Sequence, residues 1–158
     1  MQETSFRQAG WLAATAAVTL LTTAKPALSQ ESQNPGCSSE SAYKEVIQQY
    51  LAAMGNHSVQ QIEKLFTPDA TVVSTSVGNA KAVDFYKKFF PEVKTAKTEL
   101  LETYRSTSNP NHYGASFIFT FRTHQGDSEG GAYADEFYFD SGSCKLKKVI
   151  MYENMKAG

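Results

Sequence analysis

The sequence has few cysteines and no excess of charge of either sign. Of its 158 residues only Cys37 and Cys144 are cysteines, and 15 lysines and arginines oppose 16 aspartates and glutamates, which gives a formal net charge of −1. A chain with that balance has no general electrostatic attraction for nucleic acid or for anionic lipid. The sequence also lacks a glycine-rich phosphate loop, paired cysteines at metal-ligand spacing and a Gly-x-Ser-x-Gly motif, so nucleotide, zinc and serine-hydrolase sites have little support.

The three histidines do not indicate a metal site. His57 follows a Gly-Asn break, His112 lies in a predicted turn and His124 lies at the end of a predicted strand, so surface and loop roles are favoured for each. A metal site would need at least two of them to converge with a carboxylate. We therefore expect neither a metal nor a cofactor.

A single long apolar run, from Trp11 to Leu21, lies near the N-terminus. Arg7 precedes it and the small residues Ala27 and Ser29 follow it, a pattern typical of a secretory signal peptide. The run is too short to span a bilayer comfortably. We expect residues 1–29 to be cleaved and the protein to be exported, either periplasmic or secreted, without stable membrane insertion. An N-terminal anchor that is never cut is the alternative.

Export would place both cysteines in an oxidising compartment, and we predict that Cys37 and Cys144 form a disulfide. Closing so long a loop would restrain the unfolded chain by about 4–5 kcal/mol in the entropic account. Two free thiols are the alternative. Residues 30–40 are polar and contain Pro and Gly, so we expect a flexible linker there, followed by a single domain over residues 41–155.

Apolar residues recur at helical spacing three times in the first half of this domain. The predicted first helix starts at Ser41 and ends at Gly55-Asn56, the second begins at Ser58, and the third runs from about Ala80 to Phe90. The pattern then changes to period two. The predicted strands are 70–74, Thr98 to Arg105, Ala115 to Thr123, Ala132 to Phe139 and Lys147 to Glu153. This order predicts an α+β domain in which three N-terminal helices pack on a curved antiparallel sheet.

Asp135 is the residue that bears most directly on function. Period-two geometry places it on the same strand face as Tyr133, Phe137 and Phe139. An ionised carboxylate among aromatic rings costs roughly several kcal/mol of desolvation, so it must find a partner, take up a proton or take part in chemistry. Hydrogen bonds from a neighbouring strand, or an aromatic dimer interface, are the alternatives to a functional site.

Over about residues 41–154 the chain resembles the nuclear-transport-factor-2-like superfamily, in particular its ketosteroid-isomerase-like and SnoaL-like polyketide-cyclase branches. The resemblance rests on the order of elements and on the segments Gln49-Tyr50, Phe85-Tyr86, 65–72 (LFTPDATV) and 135–140 (DEFYFD). It implies a cone in which helices and a curved sheet enclose a pocket, and a homodimer formed through the outer surface of the sheet.

The resemblance also implies roles for three residues. In the isomerase branch a tyrosine of the first helix and a protonated carboxylic acid of a late strand donate hydrogen bonds to a substrate oxyanion; Tyr50 and Asp135 match these positions, and Tyr86 matches the tyrosine that supports the first. The base of those enzymes corresponds to Ser74 here. A serine cannot accept a carbon-bound proton at neutral pH without a base of its own, so steroid isomerisation is not expected.

Three functions are compatible with these residues. The first is a non-catalytic pocket for a small apolar ligand with Tyr50 and Asp135 as polar handles. The second is an enzyme in which Asp135 is the acid and base on an enolisable carbonyl compound and Tyr50 stabilises the enolate. The third is a dimeric interaction module with an occluded cone. The predicted ligand-binding residues are Tyr50, Tyr86, Phe117, Phe119, Asp135 and Phe137, although such rings could equally fill a solid core.

Overall fold

A computed structural model describes residues 39–152 of the chain. The predicted signal peptide at 1–29, the linker up to residue 38, Cys37 and the last residues of the predicted domain lie outside the described residues. The disulfide between Cys37 and Cys144 therefore stays a prediction. Within the described part, no helix has the length and apolar character needed to cross a membrane.

Three α-helices form in the first half of the domain, as predicted. They are α1 at Glu40–Gly55, α2 at Val59–Leu65 and α3 at Ala82–Phe89, and a 3-10 turn at Phe90–Glu92 follows α3. The side chain of Ser39 accepts a hydrogen bond from the Ala42 N–H, and that of Ser58 accepts one from the Gln61 N–H. These bonds satisfy backbone donors that the first turn of a helix leaves without partners.

Six strands form one sheet. They are β1 at Phe66–Ser74, β2 at Gly78–Lys81, β3 at Val93–Arg105, β4 at His112–Thr123, β5 at Ser128–Phe139 and β6 at Leu146–Tyr152. Their order across the sheet is β2-β1-β6-β5-β4-β3. Four of the five neighbouring pairs are antiparallel, whereas β1 and β6 are parallel. The sheet is thus mixed, and the expectation of a purely antiparallel sheet is corrected at that pair.

The strand β2 was not expected from the sequence. Its four residues, Gly-Asn-Ala-Lys, are mostly exposed and show no apolar alternation, and the predicted third helix overlapped them. They pair with the end of β1 after a short turn at 75–77, and Gly78, the first residue of β2, has the positive φ of +74° that glycine adopts without strain. As a result α3 begins at Ala82, two residues later than predicted.

The helices cover one face of the sheet, here called the inner face, and the core lies between them. Ile47 of α1, Ile62 of α2 and Val149 of β6 are fully buried, and each such side chain contributes about 1.5–3 kcal/mol of hydrophobic stabilisation. One end of this core is closed by the rings of Tyr43, Tyr113 and Phe139, whose centroids lie 4.7–5.9 Å apart. The opposite end of the interior, beyond Tyr50, is open.

Candidate functional site

The open end of the core is a cavity of about 450 Å³ between α1, α3 and the inner face of the sheet. A volume of this size is typical of small-molecule sites. Aromatic and aliphatic side chains dominate its wall, together with one buried carboxyl group and a few hydroxyl groups. Among the lining residues are Tyr50, Met54, Ser74, Ser76, Phe85, Phe89, Phe117, Phe119, Tyr133, Asp135 and Met151.

Four of the six predicted ligand-binding residues lie on this wall: Tyr50, Phe117, Phe119 and Asp135. The other two, Tyr86 and Phe137, are fully buried and lie behind it. Phe137 packs edge-on against the ring of Tyr50, with centroids 5.2 Å apart, and Tyr86 does so at 6.2 Å. Both therefore support Tyr50 rather than line the cavity, because the residues of the wall cover them.

Tyr86, Tyr50 and Asp135 form a chain of polar groups at the bottom of the cavity. The hydroxyl oxygens of Tyr50 and Tyr86 lie 2.8 Å apart, and the Tyr50 hydroxyl donates to Asp135 Oδ2 at 3.5 Å. Both tyrosines are fully buried and Asp135 is only 3% exposed. The other carboxyl oxygen, Asp135 Oδ1, is buried and has no hydrogen-bond partner among the described residues. One polar atom of this chain of groups thus has no hydrogen bond within the described part of the protein.

Burial controls the protonation of this chain. Desolvation raises the pKa of Asp135 to about 8, and the hydrogen bond from the Tyr50 hydroxyl opposes that rise without cancelling it. Burial also raises the pKa of Tyr50 and that of Tyr86 well above the ordinary tyrosine value. Near pH 7 the bottom of the cavity is thus a neutral carboxylic acid beside two neutral phenols, and all three groups can donate hydrogen bonds.

Ser74 lies at the end of β1 on the same wall, 9% exposed. Its hydroxyl oxygen lies 3.1 Å from Ser76 Oγ and accepts a hydrogen bond from the Val77 N–H, also at 3.1 Å. None of its hydrogen-bond partners among the described residues is a histidine or a carboxylate. The position that resembles the isomerase base therefore carries a hydroxyl group that has no means of becoming a strong base.

The charged groups of the cavity lie at its rim, where Asp84, Lys88 and Glu129 are all exposed. No lysine or arginine between residues 39 and 152 acts on the pKa of Asp135, and this is why burial dominates it. Within residues 39–152, no cluster of three or more histidine, cysteine, aspartate or glutamate side chains has an arrangement that could hold a metal ion.

Several wall residues were not predicted from the sequence. Phe85 and Phe89 lie one helical turn apart on α3, and Met151 lies on the inner face of β6. The spacing on α3 could have identified the two phenylalanines as a single apolar stripe. No local pattern signals Ser76, because its place on the wall depends on the turn between β1 and β2.

The outer face of the sheet carries a second polar cluster, around Glu136. Its carboxylate accepts hydrogen bonds from the hydroxyls of Tyr138 at 2.8 Å and Tyr152 at 3.1 Å, and lies 3.3 Å from His112 Nε2. His112 is the first residue of β4 rather than a turn residue, and its ring stacks on Tyr138. These bonds lower the pKa of Glu136 although burial opposes them.

No family model matches the sequence, and no curated protein matches it. Solved structures do match. An NTF2-like protein of unknown function from Exiguobacterium sp. 255-15 is 11% identical with a TM-score of 0.59, over 70% of this chain and 99% of that one. A Mycobacterium tuberculosis protein in complex with estradiol-17β-hemisuccinate is 13% identical with a TM-score of 0.61, over 72% and 95% of the two chains.

A third similar structure is a Jannaschia sp. CCS1 protein with a provisional description as a SnoaL-like polyketide cyclase. It is 9% identical with a TM-score of 0.57, over 71% of this chain and 85% of that one. Identities this low establish the fold alone. The chain has the NTF2-like fold, which confirms the fold that the resemblance implied.

Proposed function

We propose that the cavity binds a small, largely apolar molecule that carries a hydrogen-bond acceptor, and that it does so without catalysing a reaction. The observation that carries this proposal is the buried carboxyl group of Asp135, a residue of the cavity wall whose Oδ1 has no hydrogen-bond partner among the described residues. A buried polar group without a partner costs about 1–3 kcal/mol. A ligand acceptor to which the protonated carboxyl group donates a hydrogen bond would remove that cost, while the surrounding rings bind the apolar remainder.

Among the described residues no base lies beside Asp135 at the bottom of the cavity, since the carboxylates of Asp84 and Glu129 are exposed at its rim, and this supports binding over turnover. A carbon-bound proton needs an acceptor within hydrogen-bond reach. Ser74 has only another hydroxyl and a backbone N–H as partners among the described residues, and Asp135 already holds a proton at neutral pH. The ligand-bound relative from M. tuberculosis is similar in fold, which is compatible with a small-molecule site in a cavity of this kind.

Binding of 1-tetralone, an apolar ketone without an ionisable group near neutral pH, tests the proposal. We expect its affinity to be constant from pH 5 to pH 7 and to fall as pH rises through about 8, because Asp135 then loses the proton that it donates. If only the protonated form binds, the dissociation constant rises about 100-fold between pH 7 and pH 10. Isothermal titration calorimetry across this range measures it.

The matched variant for this test is Asp135→Asn, whose amide retains an N–H donor at every pH. We expect it to bind 1-tetralone with an affinity that does not change between pH 7 and pH 10. A wild-type affinity that is flat over the same range, or the absence of any binding at pH 6, would contradict the proposal.

A second candidate function is enzymatic, and the Tyr86–Tyr50–Asp135 chain favours it. Two buried phenols in series beside a neutral acid are suited to stabilise a developing enolate. In this case Asp135 would also move the proton, on a carbonyl compound that is already acidic. Deuterium exchange into an activated 1,3-diketone, faster with wild-type protein than with Asp135→Asn, would support this function, and equal rates would exclude it for that substrate.

We further propose that the mature protein is exported, carries the Cys37–Cys144 disulfide and forms a homodimer through the outer face of the sheet. The disulfide has a direct test. Intact mass after alkylation of the denatured protein is expected to show no added label without reductant and two labels with it. Uptake of label without reductant would contradict the pairing. Light scattering gives the molar mass in solution and so tests whether the protein is a dimer.

A further inference from the structure

The wall of the cavity is aromatic on one side and bears hydroxyl groups on the other. On the hydroxyl side, three consecutive residues at 74–76 continue from the end of β1 into the following turn. On the aromatic side, three phenylalanines come from β4 and two from α3. These are Phe117, Phe119, Phe121, Phe85 and Phe89. The apolar part of a ligand is therefore accommodated better against β4 and α3 than against β1.

The register of the sheet orders the β4 rings from the bottom of the cavity to its rim. Asp135 pairs with Ala115, and the three phenylalanines follow Ala115 at every second position of β4, on the same inner face. The last of them, Phe121, pairs with Glu129, which is exposed at the rim. The aromatic wall thus leads from the level of Asp135 to the mouth of the cavity.

Burial of these rings decreases in the same direction. Phe117 is 2% exposed and Phe119 is 5% exposed, whereas Phe121 is only half-buried. Phe121 stacks on Phe119 with ring centroids 5.3 Å apart, and the ring of Phe89 meets it edge-on at the same distance. These contacts hold Phe121 in place and leave part of its apolar surface uncovered. A ligand long enough to reach the mouth gains binding free energy in proportion to the apolar area that it covers there.

Polar side chains along this path are confined to the bottom. Asp135 Oδ1 has no hydrogen-bond partner among the described residues. From Ala115 to Phe121, by contrast, the inner-face positions of β4 carry one alanine and three phenylalanines. An acceptor atom of the ligand therefore finds a donor at the deep end of the cavity and none along β4.

We infer that the ligand is an elongated apolar molecule with its acceptor at one end, that this end binds Asp135, and that Phe89 and Phe121 select for the length of its body along β4. The inference rests on the proposed binding function, because it concerns the same cavity. It goes further by excluding two classes of apolar ligand. These are compact molecules, which do not reach the mouth, and molecules whose acceptor lies in the middle of their length.

Three isomeric ketones separate these classes. In 4′-butylacetophenone the carbonyl group lies near one end of a long molecule, 4′-tert-butylacetophenone is shorter, and in hexanophenone the carbonyl group lies between the ring and the alkyl chain. Isothermal titration calorimetry at pH 6 is expected to show about 3- to 10-fold tighter binding of 4′-butylacetophenone than of either isomer. The shorter isomer loses the contact at the mouth, and hexanophenone loses the hydrogen bond at the bottom. Since all three have the same atoms, a general preference for apolar molecules does not produce this difference.

Phe121→Ala is expected to reduce the preference for 4′-butylacetophenone over its tert-butyl isomer to less than about 2-fold, because it removes a ring that only the longer compound reaches. Phe121→Leu, a milder change, is expected to lower the preference in the same direction. Val77→Ala is the matched control. Val77 also lines the cavity and is 61% exposed, but it lies in the turn after β1, on the hydroxyl side, so its replacement is expected to keep the preference. Because the readout is a ratio of two affinities, a partial loss of folding does not imitate the result.

Each outcome supports the inference or overturns it. If 1-tetralone binds but the two butyl isomers bind equally, or hexanophenone binds as tightly as 4′-butylacetophenone, the inference is wrong and the proposed function stands. The same holds if both Phe121 variants keep the wild-type preference, or if Val77→Ala loses it. If neither 1-tetralone nor any of the three isomers binds to the wild-type protein, both the inference and the proposed function are wrong.

Discussion

Replacing Asp135 with asparagine is expected to stabilise the protein at neutral pH by about 2–4 kcal/mol, although the residue lies in the cavity wall. Asparagine has the shape of the neutral acid and can accept the hydrogen bond from the Tyr50 hydroxyl. It differs in having no charged form. The wild-type residue must take up a proton when the protein folds at pH 7, and the asparagine variant is free of that cost.

The direction of this change in stability follows from the pKa of Asp135 in the folded and unfolded states. In the folded protein this pKa is about 8, and it is near 3.8 when the group is solvated. At pH 3 both states are protonated, and the acid imposes no penalty. Between these two values the unfolded chain loses its proton while the folded protein keeps one, so the contribution of Asp135 to stability falls as pH rises and levels off above about pH 8.

Urea denaturation at pH 4 and at pH 7.5 measures the effect. The difference in the free energy of unfolding between Asp135→Asn and wild type is expected to be below about 1 kcal/mol at pH 4 and to approach its full value at pH 7.5. Asp69→Asn is the matched control, since Asp69 is exposed on β1 and its replacement is expected to change stability by less than about 0.5 kcal/mol at either pH. A destabilised Asp135→Asn at pH 7.5 would show that the carboxylate has a partner.

The sequence predicts the face on which each residue of β5 lies, and the structure bears that out. Asp135 and Phe137 do share the inner face, because alternation along a strand depends only on backbone geometry. Their depth was not predictable in the same way. Asp135 lines the cavity, whereas Phe137 lies behind Tyr50. Whether a side chain of the inner face borders the cavity depends on which helix covers it, and that packing joins residues far apart in the chain.

The placing of Ser74 and Asp135 on the wall of one cavity was also beyond sequence reasoning. It depends on the parallel pairing of β1 with β6, two strands that are far apart in the chain. No local pattern specifies that pairing, because β1 reads as a short apolar strand whatever its neighbour is. The burial of Asp135 among aromatic rings was thus predictable from the sequence, whereas the residues of other strands that surround it are a product of sheet topology.

Glycine at position 130 shows the same difference between local pattern and sheet geometry. In the sequence the Gly130-Gly131 pair indicates a break between strands, yet both glycines lie inside β5. Gly130 pairs with Thr120 and has a φ of +119°, and a Cβ atom at this position would overlap the carbonyl oxygen of Phe119. Gly130 therefore allows β4 and β5 to approach closely rather than marking a turn.

Gly130→Ala is consequently expected to destabilise the protein by at least about 3 kcal/mol, from positive-φ strain together with overlap against backbone that cannot rotate away. Gly126→Ala is its matched control: φ is +100° there as well, but no atom lies within 4 Å of the added Cβ, so the cost is expected to be about 1 kcal/mol. Urea denaturation of both variants separates the effect of overlap from that of backbone strain, and equal losses of unfolding free energy would show that overlap contributes nothing.

Because relief of the overlap must displace Phe119, Gly130→Ala is also expected to weaken binding of 1-tetralone, whereas Gly126→Ala should leave it unchanged.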